Sequence, residues 1–229
     1  MNYIEYKGQK LIIEGQHLRL DTHRITSMDE LYNLQNCTEL ENLELYDNYI
    51  KEIKNLEELV HLKILSIGKN QITEIKGLDT LVNLTELDLS GNSITEIKGL
   101  ENLEKLEKLT LDGNFITEIR GLDKSENLTE LDLSENRIAR IEGLENLKNL
   151  KTLRLWDNKI KNVQGLEGLS YLNELWLGKN QIASVSDLSV FPPNLEFLSL
   201  DTNPISYAGN PNEAQFLKIC EKYEEPYLI

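Results

Sequence analysis

Apolar residues recur along this chain with a period of 22. In the stretch LTELDLSGNSITEIKGLENLEK, which begins at Leu84, they stand at positions 1, 4, 6, 11, 14, 17 and 20, with asparagine at position 9. That asparagine returns as Asn48, Asn70, Asn92, Asn114, Asn136, Asn158 and Asn180, spaced 22 apart, and as Asn203 after 23 more. Positions 4 and 6 differ by two, as on one face of a strand, and the later apolar positions differ by three, as in a 3₁₀ return. Each unit therefore predicts one short parallel strand and a tight return. Neighbouring units must stack, because none can cover its own apolar face. The predicted class is α/β: a solenoid with a curved parallel sheet on its concave face and 3₁₀ or short helical returns on its convex face.

The asparagine sits where the strand turns inward. Its amide both donates and accepts, which suits a buried ladder between successive turns. Seven apolar sites per unit supply enough burial, at ~1.5 to 3 kcal/mol each, to hold the stack without metal or disulfide.

The ends depart from the pattern. Residues 1–14, around YIEYKGQKLIIEG, predict a hairpin turning near Gly8 that covers the first open edge. Residues 15–205 form about nine repeats. The first is imperfect, with Leu18, Leu20, His23, Ile25, Met28 and Leu31 and about three extra residues, through Leu34 and Cys37, before Leu40. Residues 206–229 predict a helical cap with Asn210 as N-cap, Pro211 at N1 and Glu213 at N3. An apolar stripe of Phe216, Ile219, Cys220 and Tyr223 follows, with PYLI tucked behind it. Cys37 and Cys220 fall near opposite ends of a ladder ~38 Å long, too far apart for a bridge.

The unit has the L-x-x-L-x-L-x-x-N-x-L form of a leucine-rich repeat, and ITEIKGLENL, ITEIRGL and IARIEGLENL carry a further I-x-x-I-x-G-L-x-x-L pattern. In this the chain resembles the leucine-rich-repeat regulatory subunit of protein phosphatase 1 over about residues 15–205, and more distantly the bacterial internalins. The first resemblance implies a regulatory binding subunit; the second implies surface adhesion.

Strand parity turns positions 3, 5 and 7 to the concave face, with position 8 at its rim. These columns carry twelve acids, among them Glu86, Asp88, Glu130, Asp132 and Glu174, against five bases, a net −7. The whole chain carries −15. That balance excludes nucleic acid and anionic membrane as partners and favours a basic or mixed-charge protein. Arg154, Trp156, Trp176 and Phe197 cluster on three adjacent strands of the same face. Tryptophan and arginine are enriched where interfaces concentrate their energy. Two readings of the patch stand: a partner contact, or rings that stack on one another or on Arg154 and merely cover the sheet. Tyr46 and Tyr49 make a lesser patch near the other end.

No catalytic arrangement emerges. His17, His23 and His61 lie on the N-terminal side, apart from the acids, and an open face offers paired carboxylates no desolvated pocket. LDGN and LSGN lack calcium-loop spacing, so no metal and no cofactor is expected. The Asn83-Leu84-Thr85 and Asn127-Leu128-Thr129 sequons arise from the repeat itself. The sequence thus reads as a non-enzymatic, cytoplasmic protein-interaction scaffold, monomeric unless the tryptophan patch self-associates. The alternative is a cell-surface adhesion module of internalin type.

Overall fold

The computed structural model describes residues 3–185, 188–207 and 209–223. Nine three-residue strands form one parallel sheet. They are β3 (His17–Arg19), β4 (Asn42–Glu44), β5 (Ile64–Ser66), β6 (Glu86–Asp88), β7 (Lys108–Thr110), β8 (Glu130–Asp132), β9 (Thr152–Arg154), β10 (Glu174–Trp176) and β11 (Phe197–Ser199), in unbroken chain order from β11 to β3. Register never slips: Leu87 pairs with Leu109, Leu109 with Leu131, and Leu131 with Leu153. Each middle leucine is buried, so the sheet's inner face and the returns share one continuous core.

In the internal repeats the return is a pair of 3₁₀-type turns. The Leu103 N–H donates to Leu100 O and the Leu106 N–H to Leu103 O, both at 3.0 Å. Three-residue spacing eclipses these leucines, so all three point at the core. Gly99, Gly121, Gly143 and Gly165 open the turn with φ of +72° to +78°.

The asparagines tie each turn to the one before it. Asn114 Oδ1 accepts from Ile94 N at 2.9 Å, while Nδ2 donates to Leu89 O and Leu111 O at 3.0 Å each. The geometry repeats from Asn48, which accepts from Ile25 N at 3.0 Å, to Asn203, which accepts from Ile182 N at 2.9 Å. Asn70, Asn92, Asn136, Asn158 and Asn180 lie between them in the same buried line. A second, exposed ladder runs along the rim. Asn83 donates to Val60 O and Asn127 to Glu104 O, both at 2.8 Å, so the asparagines of both repeat-derived sequons hold inter-repeat bonds.

At the N-terminus β1 (Tyr3–Tyr6) and β2 (Gln9–Ile12) form an antiparallel hairpin through Lys7 and Gly8, both left-handed at φ +50° and +75°. A two-residue turn of this kind requires that conformation. The hairpin is a separate sheet and does not extend the nine-stranded one; β3 meets the segment after the hairpin through an isolated antiparallel bridge between Glu14 and His17. Glu5 exchanges backbone hydrogen bonds with Tyr32 at 2.9 Å, which places Ile4, Tyr6 and Ile13 over the apolar end of the first repeat.

At the other end α1 (Glu213–Tyr223) buries Phe216, Ile219 and Tyr223, with Tyr223 edge-on to Phe191 at 5.7 Å. The helix starts later than the expected Asn210 cap implies. Asn212 O accepts from Gln215 N and Phe216 N, making Asn212 the N-cap residue. Asn210 instead closes the preceding turn, accepting from Asn212 N at 2.8 Å and donating to Pro204 O at 2.7 Å. The PYLI segment lies outside the described residues. Neither cysteine is in a disulfide; Cys37 is buried, which pushes its thiol pKa up, and Cys220 is half-buried.

Candidate functional site: the concave face

Uniform register turns sequence positions into straight columns across the sheet. Glu86, Lys108, Glu130, Thr152, Glu174 and Phe197 form one row of cross-strand neighbours. Two strand positions further along its own chain, each strand contributes to a second row: Asp88, Thr110, Asp132, Arg154, Trp176 and Ser199. The sheet therefore assembles all nine sequence-derived contact residues except Trp156 into these two rows. Trp156 lies two residues beyond Arg154, at the strand's end.

Acids hold the middle. Asp88 accepts from Ser90 N at 2.9 Å and from Ser66 Oγ at 3.2 Å, and Asp132 accepts from Ser134 N at 2.9 Å. These bonds fix both carboxylates at the surface. Asp112, in the repeat between them, is half-buried, and its pKa is pushed up to about 6, first by burial and then by the charges of Asp132, Asp88 and Glu135. Among the described residues no ion pair reaches Asp88, Asp112, Asp132 or Glu135. Lys108 is engaged by Glu130 at 3.3 Å, and Lys69 lies over the Tyr46 ring.

The raised pKa has a signed consequence for stability. Between the usual aspartate pKa near ~4 and about 6 the folded state binds more protons at Asp112 than the unfolded chain does. This group's contribution is therefore most favourable below that window and is lost as pH rises through it. Asp112→Asn is expected to raise the thermal midpoint at pH 7 and leave it nearly unchanged at pH 4. Equal shifts at both values, in melts followed by circular dichroism, contradict the assignment.

Aromatics hold the C-terminal end, though not as fully exposed rings. Both tryptophans are half-buried, each against its own partner. The Trp176 ring packs on Phe197 with centroids 4.4 Å apart and planes tilted by 38°, and its strand register sets it beside Arg154. Its Nε1–H is out of water and, among the described residues, has no acceptor. Trp156 lies along the sheet over the next repeat: a Cβ on Gly178 would come within 2.8 Å of its Cδ1. Lys179 Nζ stands 4.7 Å from the ring centroid and also pairs with Asp157. Arg154 reaches Glu174 at 3.9 Å. Lateral packing therefore sets the orientation of these rings: Trp176 stacks on Phe197, and Trp156 lies against Gly178 and Lys179 rather than on another ring or on Arg154.

The same device occurs near the other end, at Tyr46 of the lesser patch that the sequence assigns to Tyr46 and Tyr49. The Tyr46 ring lies over Gly68, with Tyr46 Cδ2 2.9 Å from where a Cβ would stand, and Lys69 Nζ is 5.3 Å from the ring centroid. Its signal is legible in retrospect: YDN is followed one repeat later by GKN, and so is WDN. Tyr49 follows the ladder asparagine and stands outside the columns. His17 pairs with Glu44 at 3.0 Å, and His23 and His61 contact backbone carbonyls, remote from the central acids. Among the described residues no group of three His, Cys, Asp or Glu is arranged to hold a metal ion.

An open parallel sheet lined by ordered polar and aromatic side chains defines the class, a repeat solenoid with one long free face. The profile for leucine-rich repeats (two copies) matches residues 38–80, 82–124, 126–168 and 148–190, and the chain belongs to the leucine-rich-repeat family. It is similar to internalin C2 of Listeria monocytogenes at 32% identity, over 81% of this chain and 80% of that one, with a TM-score of 0.73. A leucine-rich-repeat protein of Leptospira interrogans is 29% identical over 90% of this chain and 58% of its own, at a TM-score of 0.69. TLR13, in its complex with ssRNA13, is 29% identical over 80% of this chain but 28% of its own, at 0.67. Curated protein sequences give no match. The finer resemblance to the phosphatase regulatory subunit finds no support among these proteins. No helix among the described residues is long and apolar enough to cross a membrane.

Proposed function

We propose that the protein is a non-enzymatic scaffold that seats a protein partner, basic or mixed in charge, on its concave face. The observation that carries this reading is the ordered aromatic end: Trp156 and Trp176 are held by Lys179, Gly178 and Phe197, yet face an uncovered sheet. Side chains already fixed by neighbours lose little freedom on binding, and tryptophan and arginine in such settings carry much of an interface's energy. Arg154 and Phe197 complete this contact, and Glu86, Asp88, Glu130, Asp132 and Glu174 supply the field that draws a cationic surface in. The same field opposes nucleic acid, so the RNA complex formed by TLR13 is not transferred to this chain.

The Trp156→Ala/Trp176→Ala double variant is expected to lose at least ~30-fold in affinity for whatever the wild type captures from native lysate, corresponding to ~2 kcal/mol or more. Unaltered capture removes the aromatic contact. Sedimentation of both forms separates this reading from self-association: the proposed monomer sediments alike with and without the rings.

The 32% identity to internalin C2 favours a second reading, a cell-surface adhesion module using the same face. The two differ in place. Labelling of intact cells with a membrane-impermeant reagent marks the protein if it works at the surface and leaves it unlabelled if it works in the cytoplasm.

A further inference from the structure

Two unpaired strand edges face each other at the N-terminal end of the molecule. Glu14 and His17 form an antiparallel bridge across the Gly15-Gln16 turn. In a regular hairpin Ile12 and Arg19 would be the next hydrogen-bonded pair. They do not pair, because β2 follows β1 over the apolar end of the first repeat while β3 follows β4 into the nine-stranded sheet. The two strands diverge from the turn and leave a cleft of ≈ 490 Å³, with residues 10–12 and 14 on one wall and residues 17–20 and 23 on the other.

Glu5 directs its backbone groups to Tyr32, so its register partner Lys10 and, two residues on, Ile12 point theirs away from β1. On the other wall Gln16 O accepts from Asn42 N at 3.0 Å and Leu20 N donates to Glu44 O at 2.8 Å, so by parity Arg19 turns its N–H and C=O away from β4. Among the described residues these outward groups of Lys10, Ile12 and Arg19 have no hydrogen-bond partner within the chain. The charged heads nearby are engaged: His17 with Glu44, Arg19 with Asp21 and Glu44, and Lys10 over the Tyr3 ring. Leu18 and Leu20 are buried in the core and give their wall main chain only. Ile12, by contrast, is 75% exposed, the most of any large apolar residue among those described, and it adjoins the half-buried Leu11.

The bonding capacity left unmet on both walls is therefore main chain, and its complement is another main chain. A second copy matches poorly: its β2 has one edge on β1 and its β3 one edge on β4, so either could bond a single wall only. An isolated extended segment has both edges free. We infer that this cleft receives one extended segment of a protein partner, which bonds Lys10 and Ile12 with one edge and Arg19 with the other, and sets a β-branched side chain against Ile12 and Leu11. Because the walls leave the turn antiparallel to each other, the segment runs antiparallel to one and parallel to the other. The site is distinct from the aromatic contact of the concave face and does not depend on it.

The test is an amide-resolved NMR titration of the whole protein with the blocked peptide Thr-Val-Glu-Val-Thr at millimolar concentration. Saturable shifts and slowed hydrogen exchange at the Lys10, Ile12 and Arg19 amides support the assignment. Two further peptides carry N-methyl groups, one on both valines and the other on the glutamate and both threonines, so that each has one edge unable to donate. Both are expected to bind about tenfold more weakly, since turning the peptide over restores nothing when both walls are used. Ile12→Pro removes an outward N–H that β1 does not use, and is expected to lose a similar factor with the rest of the amide spectrum unchanged. Ile12→Lys keeps the N–H but loses the apolar contact, so it weakens binding even if the proline variant fails to fold. No saturable shift, shifts without slowed exchange at these amides, an N-methylated peptide that binds as well as its parent, or full binding by a folded Ile12 variant would overturn the assignment. Concentration-dependent sedimentation that Ile12→Pro abolishes would give the edge to a second copy and overturn it as well. Trp156→Ala/Trp176→Ala should bind the peptide as the wild type does; a lost response there would place the peptide on the concave face instead.

Discussion

Asn114→Ala is expected to destabilise the protein by ~2 to 4 kcal/mol, measured by urea denaturation followed by circular dichroism. The figure follows from which groups lose every partner. Leu111 O accepts from both Asn114 and Asn136, and Leu89 O from both Asn92 and Asn114, so each carbonyl keeps one donor after the substitution. Among the described residues the Ile94 N–H has only Asn114 Oδ1, at 2.9 Å in the core, and becomes an orphan. A buried unpaired amide costs ~1 to 3 kcal/mol, and the lost second bonds to the carbonyls and the void add to it. Asn114→Asp should be at least as damaging. It retains an acceptor for Ile94 but sets a buried carboxylate against two carbonyl oxygens. Asn127→Ala provides the contrast, because its bond to Glu104 O lies at the exposed rim and should cost no more than ~0.5 kcal/mol. Equal losses at Asn114 and Asn127 would contradict this account of the buried ladder.

Much of this was legible before any coordinates. A 22-residue period with asparagine at a fixed place requires strands in register, because every unit meets copies of itself on both sides. The columns that join Asp88 to Asp132 and Arg154 to Trp176 follow from counting positions. What counting misses is how long side chains lie down. Trp156 at its strand end has the same parity whether its ring stands up from the sheet or lies across Gly178. The choice was made by a glycine and a lysine one repeat later, which no single-repeat pattern contains. Asp112 likewise looks like any other exposed acid in the sequence; its raised pKa comes from burial together with charges contributed by Asp88, Asp132 and Glu135. At the caps the repeat logic lapses, and local rules compete on nearly equal terms. Asn210 and Asn212 can both cap a helix, and the bond from Asn210 to Pro204 O decides between them.

Gly143→Ala is expected to cost ~2 to 5 kcal/mol, by two mechanisms that a neighbouring site separates. The residue is left-handed at φ +72°, which penalises a side chain by ~1 to 2 kcal/mol. A Cβ there would also lie 2.1 Å from Ile119 O, a backbone atom that moves only with its turn, so overpacking adds ~1 to 3 kcal/mol. Asn55 occupies the equivalent place two strands from the N-terminal end of the sheet. It is left-handed too, at φ +61°, yet it fits. There the residue matching Ile119 is Met28, whose carbonyl is turned into a 3₁₀ helix to accept from Leu31 N at 3.1 Å, and the Asn55 amide donates to Asp29 Oδ1 at 3.0 Å. Asparagine tolerates the left-handed region better than alanine does, so Gly143→Asn should recover part of the conformational cost and none of the steric one. Asn55→Gly, with no carbonyl to crowd, should change stability by less than ~1 kcal/mol. If Gly143→Asn unfolds at the wild-type urea midpoint, the close approach of Ile119 O is not what keeps glycine in these turns. If it stays well below that midpoint while Asn55→Gly is near neutral, the packing of one return against the carbonyl of the last sets the spacing of the convex side, and with it the curvature of the face opposite.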